Sequence, residues 1–221
     1  MAASGKSTLY CELAARSARV SPGAPVTGLA HLRLGVRHAP LLARAWLASP
    51  DRFLDEKELR SLNYVVGWAE EVERGRAGAA LTVFDHGPLF RLARLHTYGP
   101  RLVESAAFQR WSGAAVKRWA GLLDAVVWLD APDALLAARI DARETRHRMK
   151  GGAATDTQRF LARYRATYDA LLAQLVAAGG PTPIRVDTSR ETPDAIAGRL
   201  LAQLDARAPV AARHVQGAGA T

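Results

Sequence analysis

Apolar positions in this 221-residue chain recur with two periods, one helical and one extended. From Ser7 to Val20 the spacing is helical, with Leu9, Leu13 and Ala14 on one face, and Ser21-Pro22-Gly23 and Pro25 break it. Residues 27–49 are apolar and dotted with arginine, which predicts one or two helices. Asp55 opens a clearer helix. It forms a capping-box pair with Glu58, Leu59, Leu62, Val66, Ala69 and Val72 follow at helical spacing, and Gly75 ends the run. Residues 80–84 form a short apolar strand that runs into Asp85-His86-Gly87-Pro88. Helical spacing returns over 89–96 and 103–121. Residues 125–129, Ala-Val-Val-Trp-Leu, are the clearest strand, ending at Asp130-Ala131-Pro132. A helix is expected from Asp133 to about Arg146, a polar glycine-containing stretch over 147–156, and a helix over 157–178. Then come a last strand at 184–187 and a helix from Pro193 to about Ala206. Beyond Arg207 the periodicity is lost, so residues 207–221 are expected to be a disordered tail.

Strands alternating with helices predict an α/β domain over 1–206, a parallel sheet with helices on both faces. Such sheets bind ligands at the carboxyl ends of their strands. Three of the turns there begin with aspartate: Asp85, Asp130 and Asp187. The fourth is the Gly5 loop.

Composition narrows the picture. Nearly half the residues are hydrophobic, yet no apolar run is long enough to span a bilayer. The N-terminus has no secretory pattern. The lone cysteine, Cys11, cannot form an internal disulfide and suits a cytoplasmic location; its helical position predicts that it packs. The formal charge of +9 is spread along the chain except around Arg139 to Lys150, with no nucleic-acid-binding signature, so phosphate handling is favoured over a nucleic-acid partner. Arginine outnumbers lysine 26 to 4, and Lys6 is the only lysine in the first fifty residues. It sits in Gly5-Lys6-Ser7-Thr8.

That tetrapeptide is the closing half of the phosphate loop G-x-x-x-x-G-K-[ST]. Counting back from Gly5, residues 1–4 fill the four variable positions, and the first glycine would fall one position before Met1. The expectation is therefore that the natural chain starts further upstream, with the strand that feeds this loop. Ala3, Ser4 and Gly5 would present backbone N–H groups to a triphosphate. Lys6 would reach the β- and γ-phosphates, Ser7 would coordinate Mg²⁺, and Thr8 would sit by the α-phosphate.

With "GKSTL", "VFDHGPLF", "VVWLDAPDALLAARIDAR" and "IRVDTSRETPDAIAGRL" in this order, the chain resembles the P-loop nucleoside and nucleotide kinases, closest in layout to the thymidylate kinase-like group. The resemblance covers about residues 4–206. It implies a three-layer P-loop NTPase fold whose first strand is missing from these residues, with a lid at about 143–156. It implies that ATP and Mg²⁺ are used to phosphorylate a small-molecule acceptor, and it leaves a homodimer open. Asp85 would hold Mg²⁺ through water or accept the proton of an attacking hydroxyl; the alternative is a turn-capping aspartate. His86 stands where the group has arginine. Arg139 and Arg143 match its R-x-x-x-R lid pattern, four residues apart on one helix face. Arg139 would stack on adenine, Arg143 and Arg146 would close over the γ-phosphate, and Arg190 would lie by the base. A solvated basic helix is the alternative for this strip. Asp130 is given a structural role. Arg33, Arg37, Tyr64 and Trp68 are candidates for the acceptor site. Two rival functions remain: a nucleotide-binding ATPase or switch without an acceptor, and a remnant that no longer binds nucleotide.

Overall fold

The computed structural model describes residues 3–23, 26–48, 50, 52–75, 81–144 and 149–207. They form a mixed α/β structure, mostly helical, with two small parallel sheets. Helix α1 (Lys6–Arg16) leads to strand β1 (Val20–Pro22), then to helices α2 (Gly28–Ala48) and α3 (Glu56–Glu73). Strand β2 (Leu81–Val83) precedes α4 (Pro88–Tyr98), a 3₁₀ turn at Arg101–Glu104 and α5 (Ala106–Ala120). Strand β3 (Val127–Asp130), α6 (Asp133–Asp141), α7 (Ala154–Ala177), β4 (Ile184–Asp187) and α8 (Pro193–Arg207) complete the order.

Local chemistry accounts for most boundaries. Asp55 Oδ1 accepts from the Glu58 N–H at 2.8 Å, and Glu58 Oε2 accepts from the Asp55 N–H at 2.9 Å, which closes the expected capping box of α3. Pro88 occupies the first turn of α4, where its missing N–H costs nothing. Residues 27–49 give one helix, with Pro40 inside it.

Two expectations are corrected. Val20 belongs to a strand, not to the first helix: α1 stops at Arg16, and β1 pairs with β2 in the register Val20↔Leu81, Ser21↔Thr82, Pro22↔Val83. Proline cannot donate to a ladder, so Pro22 suits an outer strand. Helix α6 ends at Asp141, short of Arg146; the Arg143 N–H bonds only to the Ile140 carbonyl, and the Asp141 carboxylate accepts from the Gly151 N–H at 3.0 Å. Arg146 and residues 208–221, the larger part of the expected tail, lie outside the described residues.

In place of one sheet there are two parallel pairs, β1–β2 and β3–β4. Side chains alternate across β3. Leu129 joins Leu9, Leu13, Ile196 and Leu200 of α1 and α8 on one side. Trp128 meets Tyr168 of α7 on the other, ring centroids 4.6 Å apart. A largely apolar cavity of about 420 Å³ separates the pairs, lined by Leu81, Val83 and Phe84 from one and Val126, Val127 and Trp128 from the other. Among the described residues each sheet has two strands, so β2 and β3 each have one edge without a strand beside it.

Candidate functional site

The site is built where α1 begins. Gly5 is the N-cap, at φ 83°, a conformation that glycine adopts without the clash a Cβ brings. No side chain caps this end and no acidic residue lies in the first turn, so nothing in that turn offsets the positive end of the helix dipole. Ser4 and Ala3 are buried beneath the loop.

Two side chains distant in sequence meet at this point. Ser7 Oγ donates to Asp85 Oδ2 at 2.9 Å, bringing the first turn of α1 to the carboxyl end of β2. His86 Nδ1 lies 3.2 Å from the same oxygen. The other oxygen, Asp85 Oδ1, is buried with no hydrogen-bond partner. Burial works against the Asp85 carboxylate, but the bonds from His86 and Ser7 and the Lys6 charge hold its pKa below the ordinary value. Lys6 is pushed down to about 8: burial lowers it, Asp85 raises it and Arg143 lowers it again. Its ammonium also lies 5.7 Å from the Phe90 ring centroid.

Two clefts open beside Lys6 and Arg143; Ser7 and Asp85 line neither, and Asp85 borders instead the apolar cavity between the strand pairs. The smaller, about 310 Å³, is lined by Ser4, Gly5, Thr8, Arg139, Arg143 and Thr188. The larger, about 790 Å³, is reached by Lys6, His86 and Arg143 and extends to Arg94, Tyr98 and Tyr164. Ala3 and Arg143 line both clefts and so mark their boundary. Arg139 is fixed to the turn after β4, donating to Thr188 Oγ1 at 2.9 Å and to the Thr188 carbonyl at 3.0 Å. Lys150 holds the Arg143 carbonyl. Arg143 lies past the C-cap of α6, so it reaches the site from the chain after the helix rather than from a face shared with Arg139.

Other expected residues lie elsewhere. Arg190 is 83% exposed, pairs with Asp187 at 3.1 Å and lines neither cleft. Arg33 and Arg37 both bind Glu70, at 2.7 Å each. Tyr64 and Trp68 stack beneath Arg91, whose guanidinium is 4.7 Å and 5.6 Å from their ring centroids. None of these four lines the large cleft. Besides Lys6 and Arg143 its charged residues are Arg52, Lys57, Arg94, Asp55 and Glu58, with Arg52 bound to Glu58 at 2.6 Å, and Tyr98, Phe160 and Tyr164 form an aromatic wall; Tyr98 and Tyr164 each stack on Phe160 at 5.7 Å. The signal for Arg94 was its place two turns into the helix that follows Asp85. Cys11 is exposed, contrary to expectation, because α1 turns Leu9 and Leu13 inward instead.

Asp130 fits its structural role. Arg165 of α7 donates to both its oxygens, at 2.8 and 3.2 Å, and to the Ala131 carbonyl at 3.1 Å, and forms an ion pair with Asp133 at 2.6 Å. This clamp joins α7 to the end of β3 and the start of α6.

For a divalent cation, the donors at hand are the Ser7 hydroxyl and the Asp85 carboxylate with its unpartnered oxygen. Among the described residues no group of three or more His, Cys, Asp or Glu side chains could enclose a metal. That sparse set fits Mg²⁺, which takes one or two protein ligands and completes its shell with water and phosphate oxygens. Among the described residues no helix is long and apolar enough to cross a membrane. Compared with family models, curated proteins and solved structures, the chain matches none.

Proposed function

We propose that this protein is an ATP- and Mg²⁺-dependent kinase of a small molecule, on a P-loop fold of three layers. The observation that carries this reading is the Ser7–Asp85 hydrogen bond, made across 78 positions of sequence beside a desolvated lysine. A hydroxyl from a Gly-Lys-Ser-Thr helix start next to a strand-end carboxylate is the pair that P-loop enzymes use to hold Mg²⁺.

The triphosphate tail lies on the N–H groups of Gly5 to Thr8. Lys6 sits beside the β- and γ-phosphates, and its charge is favoured again once they arrive. Ser7 and Asp85 hold Mg²⁺, which when bound neutralises phosphate charge. The nucleoside end occupies the smaller cleft, against Thr8, Arg139 and Thr188. Arg143, lining both clefts, faces the phosphoryl group in transit, where charge spreads over its oxygens. The acceptor occupies the larger cleft, its ring or apolar body on the aromatic wall. Water between the acceptor and Asp85, which does not line that cleft, takes the hydroxyl proton. Transfer of this kind depends on positioning and electrostatics more than on covalent help from the protein. The size of the second cleft favours a kinase over an ATPase without an acceptor.

Calorimetry with Mg·ATP, followed by transfer of labelled γ-phosphate to a panel of nucleosides, nucleotides, sugars and small acids, tests this reading. Binding and one labelled organic product are expected. No heat with nucleotide would remove the assignment, and labelled inorganic phosphate alone would replace it with an ATPase.

A further inference from the structure

Arg94 is a partly buried cation of the larger cleft. Phe90, Arg94 and Tyr98 stand four residues apart on one face of α4, and all three line the cleft. The Lys6 ammonium lies by Phe90, so Arg94 stands one turn further along, about 6 Å on the helix axis. The acids of the cleft are already engaged. Glu58 holds Arg52 at 2.6 and 2.7 Å and accepts from the Asp55 N–H, while Asp55 accepts from the Glu58 N–H. Among the described residues Arg94 makes no hydrogen bond or ion pair. Arg91, three residues back, adds to the positive field: burial lowers the Arg91 pKa, Tyr64 raises it and the Arg94 charge lowers it again. Burial pushes the Tyr164 hydroxyl up to about 12 while the Arg94 charge draws it down, which sets the guanidinium beside the aromatic wall. A guanidinium partly withdrawn from water, with no free acid beside it, calls for an anion.

Resting on the kinase reading above, we infer that the acceptor is a ring-bearing alcohol with an oxyanion, carboxylate or phosphate, on the side of the ring away from the reacting hydroxyl. Arg94 takes the oxyanion through two N–H donors, a fork that matches either group. The ring rests on the aromatic wall, and the hydroxyl reaches back to Lys6 and Arg143. One turn of helix between Phe90 and Arg94 is about the span of a single sugar-sized or aromatic ring with its substituents. In the transfer the hydroxyl oxygen bonds to Pγ, the bond from Pγ to the β,γ-bridging oxygen breaks, ADP leaves and the hydroxyl proton passes to water. A nucleoside monophosphate matches this charge pattern less well. Its anion sits at the reacting end, by Lys6, and it would meet Arg94 with a neutral base, which leaves the guanidinium without a counter-charge.

Transfer of labelled γ-phosphate from ATP to matched acceptors tests this. Quinate is set against its methyl ester, and glucuronate and a hexose monophosphate against the free hexose; the first and second comparisons read a carboxylate and the third a phosphate. The charged member of at least one pair should be preferred by ~10-fold or more in kcat/KM, the scale of one charge-assisted hydrogen-bonded pair. Arg94→Met should erase most of that preference by raising KM for the acid, with kcat changed little and the affinity for Mg·ATP unchanged. The comparison of charged and neutral acceptors on the wild-type chain stands even if the variant fails to fold. With Mg·ATP bound, three results overturn the inference and leave the kinase reading standing: equal transfer to charged and neutral members, a preference that survives Arg94→Met, or label carried on the phosphate of thymidine monophosphate. No heat with Mg·ATP, or inorganic phosphate as the only labelled product, instead removes the kinase reading and this inference with it.

Discussion

Ser7 Oγ and Asp85 Oδ2 stand 2.9 Å apart although 78 residues separate them, and they join the head of α1 to the end of β2. If the pair holds one cation between them, their contributions to nucleotide binding are not independent. Ser7→Ala and Asp85→Asn should each lower phosphoryl transfer by about 10²-fold or more. The double variant should lose far less than the product of the two, because either change alone already dismantles the site. A double-mutant cycle on Mg·ATP affinity reads the coupling. Additive losses would mean that the two side chains act separately.

Lys6 gives the protein a pH signature. Its pKa in the fold is about 8, against an ordinary value of 10.5. Between these values the unfolded chain keeps the proton that the folded chain has lost, so stability rises with pH across that window. Below it, holding the buried ammonium costs about 3 kcal/mol. Lys6→Met should flatten the rise between pH 8 and 10.5, increase stability at pH 7 by ~2 kcal/mol and abolish nucleotide binding. Thermal melts across the pH range check the first two effects. Wild-type binding should itself take up protons near pH 8.5, because the triphosphate favours the charged amine. Calorimetry in buffers of different ionisation enthalpy should show that uptake there and little at pH 7.

The sequence made some of this legible and hid the rest for physical reasons. The capping box at Asp55 and Glu58 and the proline at the start of α4 are local signals, and they marked their helices correctly. Strand β1 was missed because three residues give too little alternation to register against the preceding helix. The early end of α6 was missed because it depends on Asp141 bonding Gly151, a contact ten residues away. In the site, Gly5 to Thr8 announced themselves through one rare lysine, and Asp85 through its place after a strand. Arg52 and Arg94 did not stand out, because in a chain with 26 arginines only three-dimensional placement separates a cleft cation from a surface one.

Arg165 is the clearest residue that acts at a distance. It binds Asp130, Asp133 and the Ala131 carbonyl together, with its own side chain only 27% exposed. Helix α6 carries Arg139 and leads to Arg143, so loss of the clamp frees the base that positions both. Arg165→Met should cost about 2 kcal/mol, the scale of charged hydrogen bonds lost from partly buried partners. It should also lower kcat more than it raises KM for ATP, because the helix start at Gly5, proposed to grip the triphosphate, is left intact. Chemical denaturation and steady-state kinetics separate the two effects. An unchanged kcat in a destabilised variant would confine Arg165 to a structural role.

The cavity between β2 and β3 predicts that the fold will accept another strand. Both flanking edges run parallel to their own partners, and a strand between them would join the two sheets into one of five strands. The indole N–H of Trp128, buried without a partner, lines the same cavity. Such a strand must be apolar on both sides, since Val72 and Leu89 border the cavity from one direction and Leu172 and Leu200 from others. Lys6 and Asp85 also line it, so an added strand parallel to β2 would end by the loop that begins α1. Five alternating valines and isoleucines, joined to Met1 by a short glycine linker, should therefore raise Tm by about 5 °C, equivalent to ~2 kcal/mol in a chain of this size. Amide exchange should slow at 81–83 and 127–130 and stay unchanged in α2. The same extension with lysine at alternate positions should give neither effect, because it would place charge in an apolar cavity. Equal melting temperatures for the two extensions, with exchange unaltered in both strands, would show that β2 and β3 do not admit a partner.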